Sequence, residues 1–401
     1  MKKIAIVVQR CGKDITGGSE EYAYTLGQIL SEKNSVDIIT TCAKDHNKWE
    51  NHYKTGNYRI SDNLCIKRFY VNSGRKREVN VLSKLIFNGI TFEFFLNSRN
   101  TLKNQLKKKF GALPYGICEE WVRLNGPISE ELFTYLKNEQ EKYHKIFFMT
   151  YLYPTTLFGV SLIYDIDKVN IIPTFHDEMP VYLPVFKKYK KFRHFFLTNA
   201  EKDFCQKNLY IPDKKSPIIG FGIDDKGMCG FSENFALYAG RMEKAKNVHQ
   251  LFDFFTRINS RANKIFLKTI GSGLLNNEKN PYYIKKSGFV SEAKKYDLFR
   301  RCHIFVHPSE LESLGIVILE AMMFGKPCLV NEKCKVLKEH IQKSGAGFTY
   351  KNYHDFKKKI DILFKDKILY KKMSENARNY FLENYKKEIF KERLWECMKA
   401  V

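Results

Sequence analysis

The residues best placed to do chemistry lie near the C-terminal end, in the run His307-Pro308-Ser309-Glu310-Leu311-Glu312-Ser313-Leu314-Gly315-Ile316-Val317-Ile318-Leu319-Glu320-Ala321-Met322-Met323-Phe324-Gly325-Lys326-Pro327. The apolar residues Ile304-Phe305-Val306 before it read as a short buried strand. Ser313 reads as the N-cap of a helix running to about Phe324, where Gly325 and Pro327 stop it. Glu312 then stands at the helix entrance. Glu320 stands two turns inside, roughly 12 Å further along the axis. Apolar neighbours flank Glu320, so its carboxylate needs a partner. Two readings are open: it pairs with a Lys or Arg or faces water, or it belongs to a ligand site. In the ligand site, the backbone N–H groups of Leu314, Gly315 and Ile316 face a phosphate at the helix N-terminus, and Glu320 accepts hydrogen bonds from a pair of sugar hydroxyls.

A site of that kind needs strands and helices to hold it, and the sequence supplies them. Ile4 to Val8 reads as a buried strand behind a basic start too short for a signal-peptide core. Gly17 and Gly18 follow in a polar loop, and Ser19 is expected to cap a helix that turns Tyr22, Leu26, Ile29 and Leu30 inward. Further strands are expected at Val36 to Thr41, Cys65 to Val71, Ile146 to Thr150 and from Val169, the last ending in the polar tip His176-Asp177. A loop from Cys42 to Tyr53 is either part of a binding pocket or a packed surface loop. The pattern restarts at Phe235 to Ala239, ending in Gly240-Arg241, and again at Ile265 to Ile270, followed by Gly271-Ser272-Gly273. Lys246 and Asn247 precede a helix with Val248, Leu251, Phe252 and Phe255 inward. Strand, loop and helix in alternation predict an α/β fold with parallel sheets.

The C-terminal run resembles, nearly position for position, the E-x7-E signature of retaining GT-B glycosyltransferases of the large family 4 type. There it reads roughly P-S-x-x-E-G/S-F/L-G, an apolar helix, then E-A-M/L-A-x-G-K-P. The Gly17-Gly18 loop resembles the G-G-x-E/A loop of that family, where backbone approaches donor phosphates or acceptor. Gly240-Arg241 to Asn247 resembles its G-R-L-x-x-x-K-G segment, with Asn247 standing where the family usually has Gly. Gly288-Phe289-Val290-Ser291 resembles a segment whose backbone meets the base, and Gly271-Ser272-Gly273 a turn beside the nucleotide.

The resemblance implies the GT-B fold, two Rossmann-like domains facing across a cleft. An acceptor-binding domain would span 1–215 and a nucleotide-sugar-binding domain 216–380, with a helix at 381–401 packing back on the N-terminal domain. It implies transfer of a sugar from a UDP- or GDP-sugar to a glycan or lipid-linked acceptor, with retained anomeric configuration, in bacterial surface polysaccharide assembly. Carried over residue by residue, Arg241 and Lys246 neutralise the diphosphate, Glu320 meets the ribose, Glu312 the sugar hydroxyls and His176 the sugar near the reacting carbon. No D-x-D metal motif stands in a suitable place, so the resemblance implies no metal and no cofactor beyond the donor. No general base is assigned, and the leaving phosphate is the candidate proton acceptor.

Composition narrows the partners. With 68 Lys and Arg against 44 Asp and Glu, the chain carries a formal charge of +24. Phosphorylated substrates and anionic membrane surfaces both suit it, while no nucleic-acid motif appears. Arg99, Lys103, Lys107, Lys108 and Lys109 lie on one amphipathic helical stretch between Val79 and Phe110. Such a stretch either lies on a membrane or packs on the core with a solvated Lys face. A second basic and aromatic stretch runs from Tyr182 to Phe196. The ten cysteines are scattered without C-x-x-C, which predicts reduced thiols and a cytoplasmic protein, attached at most peripherally to a membrane. Two other classes remain open: a GT-B relative that binds without catalysis, and a basic protein that binds nucleic acid through charge alone. A phosphorylase of similar fold would replace the nucleotide with inorganic phosphate.

Overall fold

A computed structural model describes residues 1–15, 17–212, 216–228, 232–259, 265–273 and 281–399. The chain divides into two compact units, one of Met1–Leu197 with Glu201–Ile218 and one of Thr198–Ala200 with Ile219–Val401.

Among the described residues the first unit has the strands β1 (Lys3–Val8), β2 (Ser35–Thr41), β3 (Gly56–Ser61), β4 (Leu64–Phe69), β5 (Lys145–Met149), β6 (Val169–Ile172) and β7 (Arg193–His194). They form one sheet in the order β3-β4-β2-β1-β5-β6-β7. Every pairing is parallel except the β3–β4 hairpin. β1 is buried from Ile4 onward, as a strand covered on both faces must be. The helices are α1 (Gly18–Leu30), α2 (Glu78–Ile86), α3 (Phe92–Asn97), α4 (Asn100–Gly111), α5 (Tyr115–Asn125), α6 (Glu130–Glu139), α7 (Pro154–Leu157) and α8 (Asn199–Phe204). The sheet order reverses between β1 and β5, and loops after such a switch point are where ligands gather in open α/β sheets.

The second unit has β8 (Phe235–Ala239), β9 (Phe266–Ile270), β10 (Ile284–Lys286), β11 (Ile304–His307), β12 (Cys328–Asn331) and β13 (Gly347–Tyr350), all parallel, in the order β10-β9-β8-β11-β12-β13. Its helices are α9 (Val248–Ile258), α10 (Glu292–Arg301), α11 (Ile316–Met323), α12 (Lys335–Ser344), α13 (Tyr353–Lys365), α14 (Lys367–Asn384) and α15 (Lys387–Lys399). α9 buries Val248, Leu251, Phe252 and Phe255 as its periodicity predicts. The switch point lies between β8 and β11, so Arg241 and Pro308 leave adjacent strand ends.

Several local expectations are corrected. Val79 to Phe110 forms α2, α3 and α4 rather than one or two helices. The stretch expected as one helix at 381–401 holds the end of α14 and the whole of α15. α15 belongs to the second unit, where the Phe390 ring lies 6.3 Å from Phe221 and Arg393 Nη1 donates to the Ile219 carbonyl at 3.1 Å. Ser19 does not cap α1; the N-cap is Gly17, at φ 157°. Ser313 does not cap α11, which starts three residues later behind Gly315 in the left-handed region at φ 74°. Glu312 and Leu314 therefore lie in the loop before the helix. The loop from Cys42 to Tyr53 packs inward through Trp49, which is buried and donates Nε1 to the Asn125 carbonyl at 2.9 Å. No helix among the described residues is long and apolar enough to cross a membrane.

Candidate functional site

In the second unit the loops after β8 and β11 bring charged groups together. Lys246 Nζ lies 2.7 Å from Glu312 Oε1, and His307 Nε2 reaches the same oxygen at 3.2 Å. Burial by itself would raise the Glu312 carboxyl. The Lys246 ammonium and the His307 hydrogen bond outweigh it and hold the group well below the usual carboxylate range. Tyr238, at the end of β8, is the hub. Its ring meets His307 at 5.8 Å, its hydroxyl donates to the Arg241 carbonyl at 2.9 Å, and burial pushes its phenol up, with Glu312 adding to the shift and Arg241 opposing it. Arg241 is half exposed, with Nη1 3.3 Å from Glu243 Oε2.

The turns around this cluster are tight because backbone packs on backbone. Gly240 N–H donates to the Ile270 carbonyl at 3.0 Å, Met242 N–H to Ser272 at 2.8 Å, and Gly271 N–H to Gly288 at 2.8 Å. A Cβ on Gly271 would collide with the Gly240 carbonyl, so only glycine fits there. Gly273 belongs to the same turn, and Val290, half-buried, follows Gly288 on the way to α10. Asn247 occupies the left-handed region at φ 56°, ψ 26°, the conformation that lets Asn stand where Gly is usual.

α11 begins immediately beyond this loop at Ile316. Glu320, on its second turn, is buried. Its Oε1 lies 2.5 Å from Lys295 Nζ of α10, while its Oε2 is buried without a hydrogen-bond partner. Burial raises the carboxyl and Lys295 opposes the rise. Both readings of this residue thus have a physical counterpart: one oxygen is paired and the other is left open. The Leu314 carbonyl accepts from His340 Nε2 at 2.8 Å, which fixes the loop that leads into α11.

In the first unit, Gly17 precedes Gly18 at the start of α1, beside a buried cluster. Glu20 accepts from Arg10 Nε at 2.7 Å, from Gln9 Nε2 at 3.2 Å and from the Ser19 hydroxyl at 2.7 Å. His176 follows β6, past Thr174 in the left-handed region at φ 57°. Its Nε2 lies 3.2 Å from Glu178 Oε1, which also accepts from the buried Tyr151 hydroxyl. Asp177 pairs with Lys103 at 2.9 Å and Lys107 at 3.2 Å and accepts from Tyr182 at 2.5 Å. Two lysines of the basic stretch on α4 are therefore tied to protein, while Arg99, Lys108 and Lys109 are exposed.

The structure brings Lys246 and Glu312 together with His307, for which the sequence suggested no role. Lys295 and Tyr238 were also not singled out. His307 stood in the recognised run, whereas Lys295 is 25 residues from Glu320 and carries no local signal.

Residues 231–380 match the family model described as "Glycosyl transferases group 1". A sucrose-phosphate synthase of Thermosynechococcus elongatus superposes with a TM-score of 0.72 at 13% identity, covering 100% of this chain and 99% of that one. The HepE protein of Anabaena, in complex with UDP and glucose, superposes at 0.67 and 13% identity, covering 100% of both. The chain has the GT-B fold, and its residues 231–380 are similar to the glycosyl transferases of group 1. Among curated proteins, the N,N'-diacetylbacillosaminyl-diphospho-undecaprenol alpha-1,3-N-acetylgalactosaminyltransferase of Campylobacter jejuni is 27% identical over 214 residues, 51% of this chain and 50% of that protein. The match thus spans about half the length of that relative.

Proposed function

We propose that this protein is a glycosyltransferase. It moves a hexosyl or related sugar from a nucleotide-diphosphate donor, UDP- or GDP-linked, to a glycan or lipid-linked acceptor with retention of configuration, in bacterial surface polysaccharide assembly. The observation that carries the reading is Glu320: a buried carboxylate oxygen left without a partner costs free energy unless a ligand donates to it, and a ribose hydroxyl pair does so. The sugar carried by the relative from Campylobacter jejuni and the UDP bound to HepE are consistent with this class of donor.

The roles of the second unit follow. Arg241, half exposed, and Lys246 hold the donor diphosphate, Arg through its fork and Lys as a point charge. The N-terminus of α11, with Leu314, Gly315 and Ile316, faces the phosphates. Gly271, Gly273 and Val290 line the nucleotide, and in the first unit Gly17 and Gly18 allow close backbone approach. Glu312 accepts hydrogen bonds from sugar hydroxyls. When the bond from the anomeric carbon to the diphosphate oxygen breaks, the charge developing on that oxygen falls to Arg241, Lys246 and backbone N–H groups, without a metal. The acceptor oxygen forms the new bond on the same face, and its proton passes to the departing phosphate. His176 acts on the sugar near the reacting carbon. His176→Ala should slow transfer while leaving nucleotide affinity in place. The protein would work in the cytoplasm, at the inner membrane face when its acceptor is lipid-linked.

The test is thermal stabilisation by UDP-, GDP-, ADP- and CMP-sugars, with Arg241→Ala and Glu320→Gln alongside. One nucleotide class should raise the midpoint of the wild type by mass action and shift both variants less. No shift with any donor, with and without acceptor present, would overturn the reading.

A further inference from the structure

The first unit holds a cavity of about 470 Å³, within the size range of small-molecule sites, and Lys107, Lys108, Lys187, Lys190 and Lys207 all line it. No Asp or Glu is among the residues lining it. Lys107 is held from outside by Asp177 at 3.2 Å and donates to Asn208 at 3.1 Å, and Lys207 is 3.4 Å from Asp203. Lys108, Lys187 and Lys190 make no ion pair among the described residues. Lys187 donates to the Gly111 carbonyl at 2.9 Å, and Lys190 sits 5.3 Å from the centre of the Tyr210 ring. Ammonium groups converging on one cavity repel one another, and a multiply charged anion relieves that repulsion.

The rest of the wall is aromatic and apolar. Phe175, Tyr182 and Phe186 contribute to it, and the Tyr182 ring lies 4.8 Å beneath Lys107 Nζ. A ligand that fits has an anionic group of at least two charges on an organic body. The cavity also reaches the β6 tip, since Phe175, the residue before His176, lines it.

We propose that this cavity binds the phosphate or diphosphate group of an organic ligand. On the transferase reading, that ligand is the acceptor, which is then a phosphorylated molecule. The anion site itself does not require the donor site to work.

The experiment uses the full chain without nucleotide. Inorganic pyrophosphate and farnesyl diphosphate are titrated calorimetrically, and flotation is measured with phosphatidylglycerol and with phosphatidylcholine vesicles. The variant is K108Q/K187Q/K190Q. K367Q/K371Q/K372Q, on the exposed face of α14, removes the same charge elsewhere. At least one diphosphate should bind the wild type, the control and Arg241→Ala alike, and bind the cavity variant about ten-fold more weakly or worse. Farnesyl diphosphate tighter than pyrophosphate assigns the aromatic wall to the organic body. Binding to phosphatidylglycerol vesicles alone, lost in the cavity variant and kept in the control, assigns the phosphate to a lipid headgroup. No binding of any probe, equal loss in the control, or loss in Arg241→Ala alone overturns the proposal. A UDP-sugar shift in the wild type, with no diphosphate or vesicle binding that depends on Lys108, Lys187 and Lys190, removes this inference and leaves the transferase reading. The converse removes the transferase reading and leaves the cavity.

Discussion

Lys246 and Glu312 are joined 2.7 Å apart at the strand ends of the second unit, and both side chains are largely withdrawn from water. Burial raises the Glu312 carboxyl, and Lys246 and His307 more than reverse the rise. Removing Lys246 leaves a buried carboxylate with a single partner, so Lys246→Ala should lower stability by about 3 kcal/mol or more. The double variant K246A/E312Q should recover much of that loss. The sign of the pH dependence follows from the depressed carboxyl. Its stabilisation is present above the ordinary value of 4.5 and is lost as pH falls toward the folded value below it. Urea unfolding at pH 7 and pH 4 checks both points, with E312Q showing the flatter response. Equal stability of K246A and the double variant would show that Glu312 finds other compensation.

Gly271 should be intolerant for a geometric reason. Its φ of 129° is closed to most side chains, and a Cβ would collide with the Gly240 carbonyl of the neighbouring turn. Gly271→Ala should cost about 3 kcal/mol or more, because the obstacle is backbone. Gly227, at φ 79° with nothing within 4 Å, has only its backbone preference to lose, about 1 kcal/mol as Ala. Thermal midpoints of the two variants, compared side by side, separate collision from conformational preference. A Gly227→Ala loss as large as that of Gly271→Ala would contradict the argument.

The contrast with what the sequence could reveal is instructive. Strand cores such as Ile4 to Val8 and Phe235 to Ala239 were legible because strands covered on both faces read as apolar runs. α9 was legible because its inward residues recur at helical spacing. Cap positions were not, since Ser19 and Ser313 have the right chemistry but the chain enters both helices through a glycine at positive φ. β3, exposed along its whole length, has no buried face to announce it. In the site, Lys246 and Glu312 stood out through the family-like runs that hold them. Lys295 acts on Glu320, 25 residues along the chain, and only the fold shows what it touches.

Asn247 tests the family difference directly. Its left-handed backbone favours Gly, while its side chain donates to Gln250 at 3.1 Å and more weakly to the Pro308 carbonyl at 3.4 Å. Asn247→Ala should cost about 1–2 kcal/mol, since Ala has neither the hydrogen bonds nor the tolerance of that backbone region. Asn247→Gly should cost less than about 1 kcal/mol, because the relieved backbone offsets the lost bonds. Thermal unfolding ranks the two. A larger loss for Gly than for Ala would put the weight on the side-chain bonds.

Glu201 clamps the turn that presents His176. It is buried, and its two oxygens accept the N–H groups of Phe175 and Leu197, each at 2.8 Å. Burial pushes its carboxyl up to about 8, while the backbone donors and His176 pull the other way. The folded state therefore holds a proton that the unfolded chain has already released above its ordinary value of 4.5. Stability from this group is fully present below 4.5 and is lost as pH rises to about 8, by up to a few kcal/mol. Glu201→Gln cannot ionise, so its stability should vary less across that window. It should also sit below the wild type at low pH by about 1–3 kcal/mol, because the amide nitrogen cannot accept one of the two N–H groups. Urea unfolding from pH 5 to pH 8.5 reads both effects. A wild type as flat as the variant would show that the backbone donors keep the carboxylate ionised throughout, and the clamp would then be a permanent anion rather than a proton-dependent one.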